Sequence, residues 1–228
     1  MTGVRFGLVA PPGRRVFLVT TLGGFRQILG HAPLPTPAPS PQLMAMPVPA
    51  SPPSLLPRYS VAELDAFPDD GPRYEILQGH LLVTPQPGSP HQFLAAELVA
   101  ALVSYLGTSA RVAAPGVVER APDIHLEPDI LVVPTPLPAS MEWVDFRDQW
   151  LAIEIYSRSS RRYDHDYKRD AYLALGVREV WLVDRLERAI LVSTPSEKDR
   201  RVTDRLRWQP PEMEQPFELE LERLFRGL

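Results

Sequence analysis

Residues 151–184 read LAIEIYSRSSRRYDHDYKRDAYLALGVREVWLVD, and the order of patterns in this stretch decides the fold. An apolar run, Leu151–Ile155, precedes a helical pattern over Asp164–Leu175 that Gly176 closes, and a second strand pattern follows at Glu179–Asp184. Strand, helix and strand of these lengths predict a βαβ unit with its two strands parallel. Inside the first strand stands a charge. Alternation puts Glu154 on one face with Ala152 and Tyr156, and Ile153 and Ile155 on the other.

Upstream, Ser60 and Glu63 form a capping-box pattern ahead of a short helix over Val61–Phe67. Arg73–Leu77 and His80–Thr84 predict a hairpin turning at Gln78-Gly79. Ser89-Pro90 starts a helix that runs to Leu106 and stops at Gly107, with Phe93, Leu94, Leu98, Ala101, Leu102 and Tyr105 on one face. Strands are expected at Arg111–Glu119 and Asp129–Val133, and a loop with Pro134, Pro136 and Pro138 leads to the stretch quoted above. Downstream come a strand, Ala189–Ser193, and a final short helix, Leu219–Phe225. The class is α/β or α+β with a mixed sheet.

The 228 residues suffice for one domain with an appendage. Residues 1–57 hold Arg5, Arg14, Arg15 and Arg26 and no acid, whereas the remaining 171 residues carry 20 basic against 28 acidic side chains. Ten prolines fall in residues 33–57, too many for helix or sheet. Residues 1–57 therefore read as a Pro-rich, disordered extension, and 58–228 as the folded domain. Arg14-Arg15 before Val16-Phe17-Leu18-Val19 faintly suggests a secretory leader, but the apolar run is too short. No run of about 18 apolar residues exists to span a membrane, and a cytoplasmic location is expected. The chain has no cysteine, which excludes disulfides, zinc ribbons, iron–sulfur clusters and thiol nucleophiles. A net charge of -4 provides no global basic field, so a nucleic-acid partner requires a local patch or metal ions.

Two acids stand where apolar strands should not want them: Glu154, and Asp129 in Pro128-Asp129-Ile130-Leu131-Val132-Val133. A buried, unpaired carboxylate costs several kcal/mol, and two close together cost more unless a cation lies between them. Two readings are open at this point. Either the acids share a hard divalent ion, for which oxygen ligands select magnesium or manganese, or each meets one of the 22 arginines. Only Lys168 and Lys198 are lysines. Lys168 follows the Glu154 strand, where a compact ammonium serves as a point charge or proton donor. An i,i+4 pair with Asp164 is its bland alternative.

Arg73-Tyr74-Glu75, Pro90-His91, Glu127-Pro128-Asp129, Ile153-Glu154-Ile155-Tyr156-Ser157, and the run from Asp164 through Lys168, Tyr172 and Gly176-Val177 to Trp181-Leu182-Val183-Asp184 resemble, in this order, the Uma family of putative restriction endonucleases within the PD-(D/E)XK nuclease superfamily. The resemblance covers about Tyr59 to Phe225. It implies a restriction-endonuclease-like core with a mixed central sheet flanked by helices. It further implies Asp129 and Glu154 as metal ligands, with the Ile155 carbonyl, and Glu75 as a further acid reaching the ion. Where the superfamily has a lysine two residues after the acid, this chain has Tyr156, and Lys168 matches a position to which the lysine has moved. His91 and Asp164 match family positions without an assigned role. The implied activity is Mg2+- or Mn2+-dependent hydrolysis of DNA phosphodiesters by an endonuclease in which Asp129, Glu154, Lys168 and Glu75 do the chemistry. Arg158, Arg161 and Arg162 become candidates for DNA phosphates, and a homodimer for cutting both strands. The alternative is an inactive nuclease-fold module that binds nucleic acid or a protein.

Overall fold

The computed structural model describes residues 57–68, 71–156 and 167–227; the expected extension lies outside them, apart from Pro57. After a 3-10 turn, Val61–Ala66, come β1 (Arg73–Leu77), β2 (His80–Thr84), α1 (Ser89–Leu106), β3 (Ala110–Ala113), β4 (Val118–Arg120), β5 (Ile124–Leu126) and β6 (Ile130–Pro134). Then follow β7 (Gln149–Tyr156), α2 (Arg169–Ala174), β8 (Val177–Asp184), β9 (Ala189–Ser193), β10 (Arg200–Val202), β11 (Arg205–Trp208), β12 (Phe217–Glu220) and α3 (Leu221–Leu224).

The six-stranded sheet has the order β10-β9-β8-β7-β6-β3. Its β7–β8 pair is parallel, as the βαβ reading requires, and its other pairs are antiparallel. Strands β7 and β8 are its middle, and β7 is buried along its whole length, which is why it is apolar but for one charge and two other polar side chains. Leu151, Ile153 and Ile155 face a core with Leu94, Leu98, Leu102 and Leu106 of α1. The β11–β12 hairpin closes that side, with Trp208 edge-on to Trp181 at 5.6 Å between ring centroids. Ala152 and Tyr156 face the opposite side with Leu131, Val133, Val180, Leu182 and Tyr172.

A smaller sheet, β2-β1-β5-β4, stands beside the large one. Its hairpin turns through Gln78 (φ 50) and Gly79 (φ 77), the two successive left-handed residues of a tight primed turn. The segment Glu127-Pro128-Asp129 carries the chain from β5 in the small sheet to β6 in the large one.

Three expectations change. The stretch read as one strand over 111–119 is two, because the chain bends at Gly116, whose N–H donates to the Pro128 carbonyl at 3.2 Å. A Cβ at Gly116 would lie 2.3 Å from that of Leu131, so only glycine admits this close approach to β6. The final helix shrinks to one turn, since residues 217–220 pair instead with β11. Phe93 is 65% exposed, lying beside the buried α1 stripe rather than in it. Among the described residues no helix is long and apolar enough to cross a membrane.

Candidate functional site

The four charged side chains picked out by the sequence are all inside: Glu75 is 2% exposed, Asp129 8%, Glu154 4% and Lys168 3%. Charges buried this deeply survive only when paired and hydrogen-bonded. Each of them is.

Glu154 projects from the middle of β7 on the Ala152 and Tyr156 face, as its alternation requires. Its Oε1 lies 2.6 Å from Lys168 Nζ and accepts the Tyr172 hydroxyl at 2.6 Å. Lys168 immediately precedes α2 with helical backbone angles (φ -67, ψ -45), and Tyr172 stands one turn further on. The i,i+4 spacing sets both side chains over the same carboxylate. The same ammonium lies 2.8 Å from Glu75 Oε1, an oxygen that also accepts the Glu127 peptide N–H at 2.7 Å. One lysine thus ties a carboxylate of the small sheet to one of the large sheet. The start of α2 is itself anchored, because Arg169 bonds Asp199 at 2.6 Å and Asp170 at 2.9 Å.

Asp129 sits where the chain enters β6. Its Oδ1 lies 2.8 Å from Arg73 Nη2, while Oδ2 faces His91 Nε2 and accepts the Ile155 N–H, both at 2.8 Å. An ionised carboxylate can only accept, so Nε2 is the donor in this contact. Nδ1 of His91 is buried with no hydrogen-bond partner. The β6–β7 register pairs Ile130 with Ile153; one residue further it sets Asp129 opposite Glu154, on a shared face.

The electrostatics tie the group together. Burial alone would push the Arg73 guanidinium down, but the charge and hydrogen bond of Asp129, with smaller contributions from Glu154 and Glu75, raise its pKa. For Asp129, burial favours the neutral acid, yet His91, Arg73 and the Ile155 N–H outweigh it and hold the carboxyl below its ordinary value. Arg73 therefore senses all three acids.

Glu75, Asp129, Glu154 and Lys168 come together at the junction of the two sheets. Of the two readings left open, the arginine one is met in part: Asp129 pairs with Arg73, whereas Glu75 and Glu154 share a lysine. Tyr156, two residues after Glu154 and on the same face of β7, is also buried. Arg73 and Tyr172 had no assigned part, although a signal existed for each. Arg73 and Glu75 are two apart on β1 and so share a face, and Tyr172 follows Lys168 by one turn. Asp164, Arg158, Arg161 and Arg162 lie outside the described residues.

In kind, three carboxylates and a neighbouring strand carbonyl fit a hard divalent ion such as magnesium or manganese. Among the described residues, however, no three acidic or histidine side chains are gathered as a ready ligand set. One oxygen of each acid, Oε1 of Glu75, Oε1 of Glu154 and Oδ1 of Asp129, faces Lys168 or Arg73 instead. The donor types suit such an ion, and in this structure those oxygens are engaged in ion pairs.

A family model described as Uma2, putative restriction endonuclease, matches residues 61–228. A solved structure with a similar fold is the crystal structure of a putative nuclease belonging to DUF820 from Anabaena variabilis ATCC 29413. The match has a TM-score of 0.61 at 20% identity and covers 73% of this chain and 97% of that one. No curated protein matches the chain significantly.

Proposed function

The chain belongs to the Uma2 family of putative restriction endonucleases, and from that premise we propose that it is a metal-dependent endonuclease hydrolysing DNA phosphodiesters. The observation that carries the reading is the convergence of Glu75 and Glu154 on Lys168 Nζ, at 2.8 and 2.6 Å, beside the Asp129 carboxylate.

Asp129 and Glu154, with Glu75, would hold magnesium or manganese. The ion supplies Lewis-acid polarisation of the scissile phosphate and a lowered pKa for the attacking water. The rest falls to the chain's own groups. Lys168 orients that water and offsets the charge that grows on the phosphoryl oxygens in the transition state. Tyr172 fixes the rotamer of Glu154, and the Ile155 N–H that of Asp129, so the acids enter the reaction already aimed. Neutralising the acids also lets a phosphate backbone approach a protein of net negative charge. Arg158, Arg161 and Arg162, in the segment after β7, are proposed to grip the flanking phosphates, and a homodimer to cut both strands.

The test is nicking of supercoiled plasmid in magnesium or manganese, with single-stranded, branched and RNA substrates in parallel. Wild type should nick DNA, and Glu154→Gln and Lys168→Ala, folded by circular dichroism, should fall at least about a hundredfold. Undiminished cleavage by both variants would remove these residues from the chemistry.

A second reading is a nuclease-fold module that binds nucleic acid or protein without turnover. What favours it is that the buried carboxylates already carry their own cations and no ready three-ligand set is gathered among the described residues. Calorimetry with manganese separates the two. An endonuclease should bind the ion in wild type and lose it in Asp129→Ala, whereas the module should show no binding at millimolar ion.

A further inference from the structure

Resting on the metal-dependent reading, we propose that Arg73 is the site's exchangeable counter-cation: it neutralises Asp129 when no ion is bound and gives up that carboxylate to the divalent ion.

The two oxygens of Asp129 are held differently. Oδ2 is committed to His91 and to the Ile155 peptide N–H, contacts that orient the side chain against β7. Oδ1 bears the Arg73 guanidinium at 2.8 Å, and an ion binding at that oxygen must meet the guanidinium first. Besides Asp129, Arg73 feels only the smaller attraction of Glu154 and Glu75. Its one other bond to the site, from Nη1 to the Glu127 carbonyl, is long at 3.3 Å.

Lys168 is placed quite differently. Its side chain is 4% exposed and bridges two carboxylates, while the Arg73 side chain is 21% exposed against 6% for that of its partner Asp129. Arg73 therefore stands on the solvent side and Lys168 on the protein side.

The experiment is manganese calorimetry on the full chain, comparing wild type with Arg73→Gln and Arg73→Lys, alongside thermal melts with and without the ion. Loss of the competing guanidinium should tighten manganese binding by roughly tenfold or more in Arg73→Gln. The same variant should melt lower than wild type without ion and recover when manganese is added. Arg73→Lys, which keeps the charge, should stay near wild type. In wild type the Arg73 Nε–Hε resonance should move on titration with magnesium, a readout that stands even where Arg73→Gln fails to fold. Equal or weaker binding by Arg73→Gln, or an unmoved resonance while magnesium binds, would make Arg73 a fixed structural partner and overturn the proposal. Failure of both wild type and Arg73→Gln to bind would overturn the metal reading itself, and this inference with it.

Discussion

Lys168 Nζ lies 2.6 Å from Glu154 Oε1, joining the residue just before α2 to the middle of β7 inside a site almost closed to water. Such a pair contributes little net stability relative to an apolar replacement of both partners, but removing one partner leaves a charge buried without compensation. Lys168→Met strands two carboxylates, since Glu75 shares the ammonium. The variant should lose about 3–5 kcal/mol in urea unfolding at neutral pH. The triple change Lys168→Met, Glu154→Gln, Glu75→Gln should recover a good part of that. A single variant as stable as wild type would show that the ammonium is not the counter-ion of this cluster.

Tyr172 is one of the residues that carry the family resemblance, without a role of its own in the sequence; it is fully buried and its hydroxyl donates to Glu154 at 2.6 Å. Hydrogen bonds to charged acceptors contribute about 1.5–3 kcal/mol, so Tyr172→Phe should destabilise the fold by that amount while keeping its packing. In the cleavage assay, the variant should lose rate with little change in KM, because the hydroxyl holds a catalytic carboxylate rather than the substrate. A raised KM at unchanged kcat would place the hydroxyl on the substrate side.

The two arms of the stability–pH profile should report two different groups. The first is Asp129, whose carboxyl is held below the ordinary value of 3.8. A carboxyl with a lower pKa folded than unfolded stabilises the fold while ionised. That contribution is present above the unfolded value and is lost as pH falls through the folded one. Wild type should therefore lose stability steeply on acidification below about pH 4, and Asp129→Asn should show a shallower acid limb. Urea midpoints between pH 5 and pH 2.5 measure it. Parallel acid limbs in the two proteins would mean that Asp129 is not held ionised by its neighbours.

Much of this architecture was legible because it rests on local pattern. The parallel pair follows from two apolar runs separated by one helix, the first hairpin from Gln78-Gly79, and the face of Glu154 from alternation alone. What was not legible depends on distant contacts. Strand β5 is three residues long and shows no period of its own, and it becomes a strand by pairing with β1 and β4. Leu219 and Glu220 read as the start of the final helix, but pairing with β11 draws them into β12. The site divides in the same way. The scarcity of lysine singled out Lys168 and the burial of acids in apolar strands singled out Asp129 and Glu154. Which cation each acid would meet was not encoded locally: Arg73 and Asp129 are 56 residues apart and meet only where the small sheet abuts the large one.

The second group is His125 on β5, outside the cluster but on the strand that leads into it. Its Nδ1 lies 2.9 Å from Glu119 Oε2 and its Nε2 3.5 Å from Glu127 Oε1. Burial opposes its charge, but hydrogen bonds and attraction from Glu127 and Glu119 outweigh that and raise its pKa above 6.5. A histidine whose pKa is higher folded than unfolded stabilises the fold fully below the unfolded value and loses that contribution as pH rises through the folded one. His125→Gln should therefore be less stable than wild type below about pH 6.5, and the gap should close as the solution becomes alkaline. Because the Glu127 peptide N–H binds Glu75, the same titration should loosen the small-sheet side of the site. Urea midpoints for the two proteins from pH 5 to pH 9 test the sign. A gap that widened with rising pH would require His125 to be neutral in the fold, with Glu119 or Glu127 turned away from the ring.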